Sequence, residues 1–191
     1  LKEEQKRGDV EKENKSYDEA FFSWFNTLAE TGIPICLFVS PNHYAYATKQ
    51  IRDNVYVMPP VDLYELSTYK VTSSVAAVGL PVNKAANKDT YNFMVLMNAK
   101  IEFLNKAIQM DPFRTSHFAW IDFRITRIIK SPSTLDRLVT YTKARLKDRM
   151  LVVPVCWKKE WVVVDTLYDR IVWRFCGGFF MGDRASIMDF Y

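Results

Sequence analysis

The chain has 191 residues, of which 49% are hydrophobic and 15% aromatic, and a formal net charge of +4 at neutral pH. This length predicts one domain with a core of its own, and so small a charge argues against a nucleic-acid partner. Two histidines argue against a histidine-rich zinc site. No apolar run is long enough to span a membrane and the first residues are not signal-like, so we expect a cytoplasmic protein.

Cysteine usage gives a similar indication. Cys36, Cys156 and Cys176 form no CxxC pair, and each lies in an apolar run. The sequence therefore predicts three buried free thiols in a reducing compartment.

The first third of the chain alternates helices and strands. Residues 1–15 mix acids and bases and form a charged lead-in, which leaves residues 16–191 as the domain. Ser16 and Glu19 match a capping box for an amphipathic helix that stops at Gly32. Residues 32–41 and 54–60 then predict two buried strands joined by a short helix. This alternation is expected of a parallel sheet covered on both faces.

The middle of the chain is less regular. Residues 61–88 show a weak pattern, typical of a mobile loop or of a helix with little periodicity. Asp89 or Thr90 caps a long predicted helix whose apolar surface is interrupted by three polar side chains, those of Asn98, Lys100 and Glu102.

Ser131 and Pro132 begin a later helix. Its basic face predicts either a solvated surface or a site for an anionic partner. Three strand-like runs follow, at residues 150–157, 161–166 and 171–175.

One carboxylate stands inside a strand-like run at residues 117–125. Strand alternation places Trp120, Asp122 and Arg124 on one face. Two interpretations remain open. Arg124 pairs with Asp122 and the carboxylate is structural, or Asp122 lies at the carboxyl end of a strand and binds a metal or a ribose.

A glycine pair near the end of the chain is the second candidate feature. Gly177 and Gly178 permit either the close approach of a ligand or an ordinary turn. Asp183 then predicts the N-cap of a final helix.

Three sequence blocks in this order resemble the HtrL/YibB family, also called WlaTC/HtrL. They are NFMVLMNAKIEFL at residues 92–104, FAWIDF at 118–123 and FCGGFFMGD at 175–183, and the similarity spans most of the chain from Tyr17 onward. It implies a glycosyltransferase that uses a nucleotide-sugar donor, with a UDP-sugar favoured. The implied fold is α/β and GT-A-like, a Rossmann-like and mostly parallel sheet flanked by helices, in which Mn²⁺ or Mg²⁺ bridges the donor diphosphate.

The resemblance also implies roles for particular residues. Asp122 stands where such enzymes hold the metal, while Trp120 occupies the place of a second carboxylate. Gly177 and Gly178 resemble the block that lines the acceptor side, and Asp183 is the implied catalytic group that positions or deprotonates the acceptor hydroxyl.

Three further residues are implied to contact the donor. Asn98 and Lys100 bind the diphosphate or donor hydroxyls, unless they form only a solvated stripe of the helix. Arg124 binds the diphosphate or neutralises Asp122.

The family begins with a strand, and in this sequence a charged segment occupies its place. We therefore expect the first strand to be missing or divergent. The implied partners are the nucleotide-sugar and a hydroxyl acceptor on a glycan or protein. The main alternative is a non-catalytic nucleotide- or glycan-binding module of the same fold. A basic scaffold that docks nucleic acid or an acidic partner through the helix with Arg137 and Arg149 is a third class.

Overall fold

The computed structural model describes residues 19–50, 52–75, 80–162, 164–166, 169–170, 172 and 174–191. The chain divides into two compact units. The first unit consists of Leu1–Pro60 and Phe123–Ala144, and the second of Val61–Asp122 and Arg145–Tyr191. The charged lead-in and Ser16 of the predicted capping box lie outside the described residues. Within these described ranges, no helix has the length and apolar character needed to cross a membrane.

Helices and short strands alternate along the described chain. In order they are α1 (19–29), β1 (Ile35–Leu37), α2 (Pro41–Ala47), β2 (Val55–Val57), α3 (Ser67–Ser74), α4 (Tyr91–Asn98), α5 (Lys100–Met110), β3 (His117–Ile121), α6 (Ile125–Ile128), α7 (Pro132–Lys143), β4 (Leu151–Val152), β5 (Phe179–Asp183) and α8 (Arg184–Phe190). Turns of 3₁₀ helix lie at Leu63–Glu65, Lys159–Trp161 and Val164–Thr166.

The first unit packs an aromatic core against a parallel strand pair. Phe22 and Phe25 of α1 lie three residues apart on one face of the helix, and both are buried. The ring of Phe123 stacks on Phe25 with a centroid distance of 5.1 Å. Helix α1 ends where Gly32 adopts a positive φ of 73°, a conformation that suits glycine. The predicted helix and its stop are therefore confirmed.

Strands β1 and β2 are parallel, with Ile35 opposite Val55. Helix α2 connects them and begins at Pro41, where the absent N–H of proline costs no helical hydrogen bond. The predicted strand, helix, strand order of this segment is confirmed.

The second unit is built on an antiparallel sheet. Strand β5 lies between β3 and β4, with His117 opposite Asp183 and Ile121 opposite Phe179. Helices α5 and α8 both contact this unit's strands. The buried cluster between helices and sheet is formed by Leu104, Ile108, Phe180 and Ile187.

The mixed α/β class is confirmed, but the predicted mostly parallel sheet differs from the two sheets of the described residues. Only β1 and β2 run parallel. Strand β5 begins opposite the end of β3, so it runs back along β3 instead of beside it in the same direction. Residues 179–183 were expected to be the end of a glycine turn, and their strand was missed.

Two further local predictions were partly wrong. The long predicted helix is two helices, α4 and α5, because Ala99 between them has a ψ of −2°. Its predicted N-cap is confirmed, since the Thr90 side chain accepts a hydrogen bond from the Phe93 N–H. The predicted strand at residues 161–166 instead contains 3₁₀ turns on either side of residue 163, which is not described.

Candidate functional site

The candidate site lies where β3 ends and the glycine pair precedes β5. The N–H of Asp122 donates to the carbonyl of Gly178 at 2.9 Å, which continues the β3–β5 pairing by one residue. The side chain of Asp122 is 41% exposed. A carboxylate is thereby presented at the edge of the sheet, beside a segment without side chains.

A buried lysine forms an ion pair with this carboxylate. Lys100, the first residue of α5, has a side chain only 6% exposed, and its Nζ donates to Oδ1 of Asp122 at 2.8 Å. The same Nζ donates to the carbonyl of Gly177. It also lies 5.4 Å from the ring centroid of Trp120, within the range of a cation–π contact. Lys100 thus joins a helix, a strand and the glycine segment.

Trp120 donates a second hydrogen bond to the carboxylate. Its Nε1–H donates to Oδ1 of Asp122 at 2.7 Å, as strand alternation predicts for residues two apart on one face. Oδ1 therefore receives one charged and one neutral donor. Among the described residues no donor is hydrogen-bonded to Oδ2. That oxygen is the free acceptor of the site.

A small side chain would fit on the inner side of the glycine segment at Gly177. A Cβ built on Gly177 lies 3.5 Å from Nζ of Lys100, an ordinary van der Waals contact. Packing against Lys100 therefore does not require glycine at position 177. A ligand at Oδ2 can approach the backbone here closely.

Asp183 lies at the opposite end of the strand pair. It pairs with His117, whereas Asp122 follows Ile121, so about 17 Å separates them at about 3.4 Å per strand residue. The structure therefore does not bring the two carboxylates together.

The side chain of Asp183 has structural partners. It accepts hydrogen bonds from the Oγ of Ser186 at 2.6 Å, the N–H of Ser186 at 3.0 Å and the N–H of Met150 at 2.7 Å. These bonds, led by that from the Ser186 hydroxyl, hold the pKa of Asp183 well below its usual range. The prediction that Asp183 caps the last helix is confirmed.

The other two predicted donor contacts, Asn98 and Arg124, have partners of their own within their units. Asn98 is exposed at the end of α4, and its Nδ2 donates to the carbonyl of Met94 in its own helix at 2.7 Å. Arg124 belongs to the first unit, where its guanidinium lies 4.6 Å from the ring of Trp24. Its expected pairing with Asp122 would join the two units and stays a prediction.

The described residues do not fit the divalent cation that the resemblance implies. An ammonium and an indole N–H already occupy Oδ1 of Asp122, so that oxygen does not face an open cation site. In the part of the chain that the structure describes, no three His, Cys, Asp or Glu side chains cluster as metal ligands would. No catalytic step is therefore assigned to a metal.

Sequence reasoning missed a second buried charge on the same helix. Glu102, 2% exposed, accepts hydrogen bonds from the N–H groups of Ser67 at 2.9 Å and Thr68 at 3.0 Å, at the start of α3. Burial alone raises the pKa of Glu102, but these bonds and the charge of Lys106 outweigh it and lower the pKa. The sequence signal for this buried charge is that Glu102 interrupts the apolar surface of the helix.

The cysteine prediction needs a correction. The three thiols are free, but Cys156 is exposed and the other two are only half-buried. Leu151 and Val153 of the same apolar run pack against the buried cluster of the second unit, whereas Val155 and Cys156 further along it are exposed. Cys156 and Cys176 are neighbours in space, although no motif joins them in sequence.

A family model described as a bacterial protein of unknown function, HtrL_YibB, matches residues 77–191, more than half of the chain. The chain belongs to the HtrL/YibB family. Lys100, Trp120, Asp122 and the glycine pair all fall within the matched range, so the candidate site lies in the HtrL/YibB part of the chain. No curated protein and no solved structure matches the chain.

Proposed function

We propose that this chain is a glycosyltransferase that moves a sugar from a nucleotide-sugar donor, preferably a UDP-sugar, to a hydroxyl of a glycan or protein. The observation that supports the proposal is the half-exposed carboxylate of Asp122, oriented by Lys100 and Trp120 beside a bare glycine segment. An oriented carboxylate oxygen is a suitable acceptor for sugar or ribose hydroxyls. A GT-A-like core is part of the same proposal.

The chemistry assigned to the site is hydroxyl binding and proton transfer. In sugar transfer the bond between the anomeric carbon and the diphosphate breaks, and a bond to the acceptor oxygen forms. The acceptor loses a proton, and Oδ2 of Asp122 is the described group best presented to take it or to hold a donor hydroxyl. Asp183 has no role in this version because it lies at the far end of β3.

Lys100 acts in this proposal as a positioning residue. Its ammonium is enclosed by Asp122, the Gly177 carbonyl and the Trp120 ring, so it does not face a ligand directly. By holding the carboxylate and the glycine backbone in one arrangement, it reduces the ordering needed when the substrate binds.

The first test is calorimetric titration of UDP into the protein, with and without Mn²⁺. We expect binding to the wild type and at least about tenfold weaker binding to Asp122→Asn, since a charge-assisted hydrogen bond contributes about 1.5–3 kcal/mol. The matched control is Asp189→Asn, which removes an exposed carboxylate paired with Arg149 and should bind UDP as the wild type does.

The same experiment separates the alternatives. Binding that requires Mn²⁺ would restore the metal predicted from the resemblance. UDP binding with no UDP-sugar hydrolysis or transfer to any hydroxyl acceptor would favour the non-catalytic module, which the single, lysine-paired carboxylate also favours. Equal UDP affinity for the wild type and Asp122→Asn, together with an equal rate of UDP-sugar hydrolysis, would show that Asp122 is not part of the site.

A further inference from the structure

Two cysteines meet beside the candidate site through a short antiparallel contact. Val155 and Phe175 form an isolated antiparallel bridge. The N–H of Cys156 donates to the carbonyl of Arg174 at 3.0 Å, and the N–H of Cys176 donates to the carbonyl of Pro154 at 2.7 Å. This register places the two cysteines at diagonal positions on one face of the contact.

The two side chains lie close enough to interact, and Cys156 is exposed at the surface. Desolvation and this neighbouring thiol raise the pKa of Cys156. Because Cys156 is exposed, a small oxidant can reach the pair, and the diagonal register places the two side chains next to each other.

The thiol pair is adjacent in sequence to the backbone that contacts Lys100. Cys176 precedes Gly177, whose carbonyl accepts a hydrogen bond from Nζ of Lys100. Diagonal positions in an antiparallel pair have Cα atoms about 7 to 8 Å apart, whereas a disulfide favours about 5.5 to 6 Å. Closing a disulfide would thus draw Cys176 toward Cys156 and displace the Gly177 carbonyl.

We infer that Cys156 and Cys176 are a reversible disulfide site whose oxidation weakens the hydrogen bond from Nζ of Lys100 to the carbonyl of Gly177. With hydrogen peroxide as the oxidant, the two thiols lose their hydrogen atoms, one S–S bond forms, the O–O bond breaks and two water molecules leave. A thiol reductant reverses the step by thiol–disulfide exchange. The inference does not depend on sugar transfer.

The first measurement is disulfide mapping. The full reduced chain is treated with hydrogen peroxide near stoichiometric amounts, and disulfides are identified by mass spectrometry after digestion. A Cys156–Cys176 linkage is expected in the wild type and in Cys36→Ser, but not in Cys156→Ser or Cys156→Ala. Sulfenic acid or higher oxides at Cys156 without the linkage would overturn the inference.

The second measurement follows Lys100 itself. Amine-reactive labelling with mass spectrometry reports access to its side chain, which is 6% exposed in the described structure. Oxidation should raise Lys100 labelling by about tenfold, the factor by which a hydrogen bond to a charged group holds a closed state. Lys106, 38% exposed on the same helix, is the internal reference and should not change.

Two outcomes of the labelling contradict the inference. Unchanged labelling of Lys100 in a chain that carries the linkage would show that the disulfide does not reach the site. A rise that also occurs in Cys156→Ser would assign the effect to other oxidation. Because neither readout uses a nucleotide, failed UDP binding would leave the result intact.

Discussion

A single ammonium decides how the candidate site is arranged. Lys100 is nearly buried, which is unusual for lysine, and its three N–H donors face the Asp122 carboxylate, the Gly177 carbonyl and the Trp120 ring. Sequence reasoning treated it as a ligand contact or a solvated stripe. The structure makes it the support of a carboxylate that does reach solvent.

Replacing this lysine with a side chain of similar length tests that role. Lys100→Met should lower the free energy of unfolding by about 1–3 kcal/mol, because the Gly177 carbonyl loses its charged donor and Asp122 keeps only Trp120. Urea unfolding measures the change. Lys106→Met removes a cation on the same helix that lies 3.7 Å from Glu102, and should cost less than about 1 kcal/mol. Equal losses would contradict the supporting role of Lys100.

At the scale of elements, β5 is the strand on which the second unit's packing depends. It pairs with β3 and β4, and a glycine at position 182 lets it approach its neighbours. A Cβ at Gly182 would meet Leu151 Cδ1 at 3.1 Å, Ile187 Cγ1 at 3.2 Å and the Met150 carbonyl at 3.2 Å. The carbonyl cannot rotate away as a side chain can.

This crowding gives a prediction with a natural control. Gly182→Ala should destabilise the protein by about 1–3 kcal/mol, the usual cost of overpacking. Gly177→Ala, whose Cβ finds only an ordinary contact with Lys100 at 3.5 Å, should change stability by less. Thermal unfolding of both variants measures the difference. A larger loss for Gly177→Ala would mean that the glycine segment is packed more tightly than its contacts indicate.

Elements whose signals are local were predictable. Helix α1 and its glycine stop, the β1–α2–β2 order and the start of α7 at Pro132 follow from periodicity and from the backbone limits of glycine and proline. The strand predicted at residues 161–166 was wrong, because β-propensity is realised only where a neighbouring strand is available for pairing. The described residues there form 3₁₀ turns.

The candidate site was predictable only in part. Trp120 and Asp122 share a face by strand alternation, which sequence supplies. The bond from Lys100 to Asp122 crosses 22 residues, and the bond from the N–H of Ser67 to Glu102 crosses 35. Such pairings follow from tertiary packing and leave no spacing rule in the chain, which is also why the two neighbouring cysteines went unnoticed.

For the molecule as a whole, the free energy of unfolding depends on pH through three carboxylates. The pKa values of Glu102, Asp111 and Asp183 are all lowered in the folded chain, by hydrogen bonds that outweigh burial at Glu102 and Asp111 and by those from Ser186 at Asp183. A lowered folded pKa stabilises the protein above the unfolded pKa, and this contribution is lost as the pH falls through the folded pKa.

Glu102→Gln isolates one of these terms. At pH 6 we expect the variant to be about 1–3 kcal/mol less stable than the wild type, because the α3 N–H groups lose a charged acceptor. Below the unfolded pKa of about 4.3 the difference should shrink, because Glu102 of the unfolded wild type takes up a proton before Glu102 of the folded chain does. Urea unfolding between pH 3 and 6 measures it, and Glu65→Gln, at an exposed glutamate, should stay near the wild type throughout.

The cap formed by Glu102 also restricts where a phosphate can bind. The start of a helix attracts anions because its N–H groups are unpaired and its dipole is positive there. In the second unit the start of α3 already holds the carboxylate of Glu102, and that of α8 holds Asp183. Carboxylates of the chain itself occupy both of these helix starts, so neither offers free N–H groups to the diphosphate of the proposed donor.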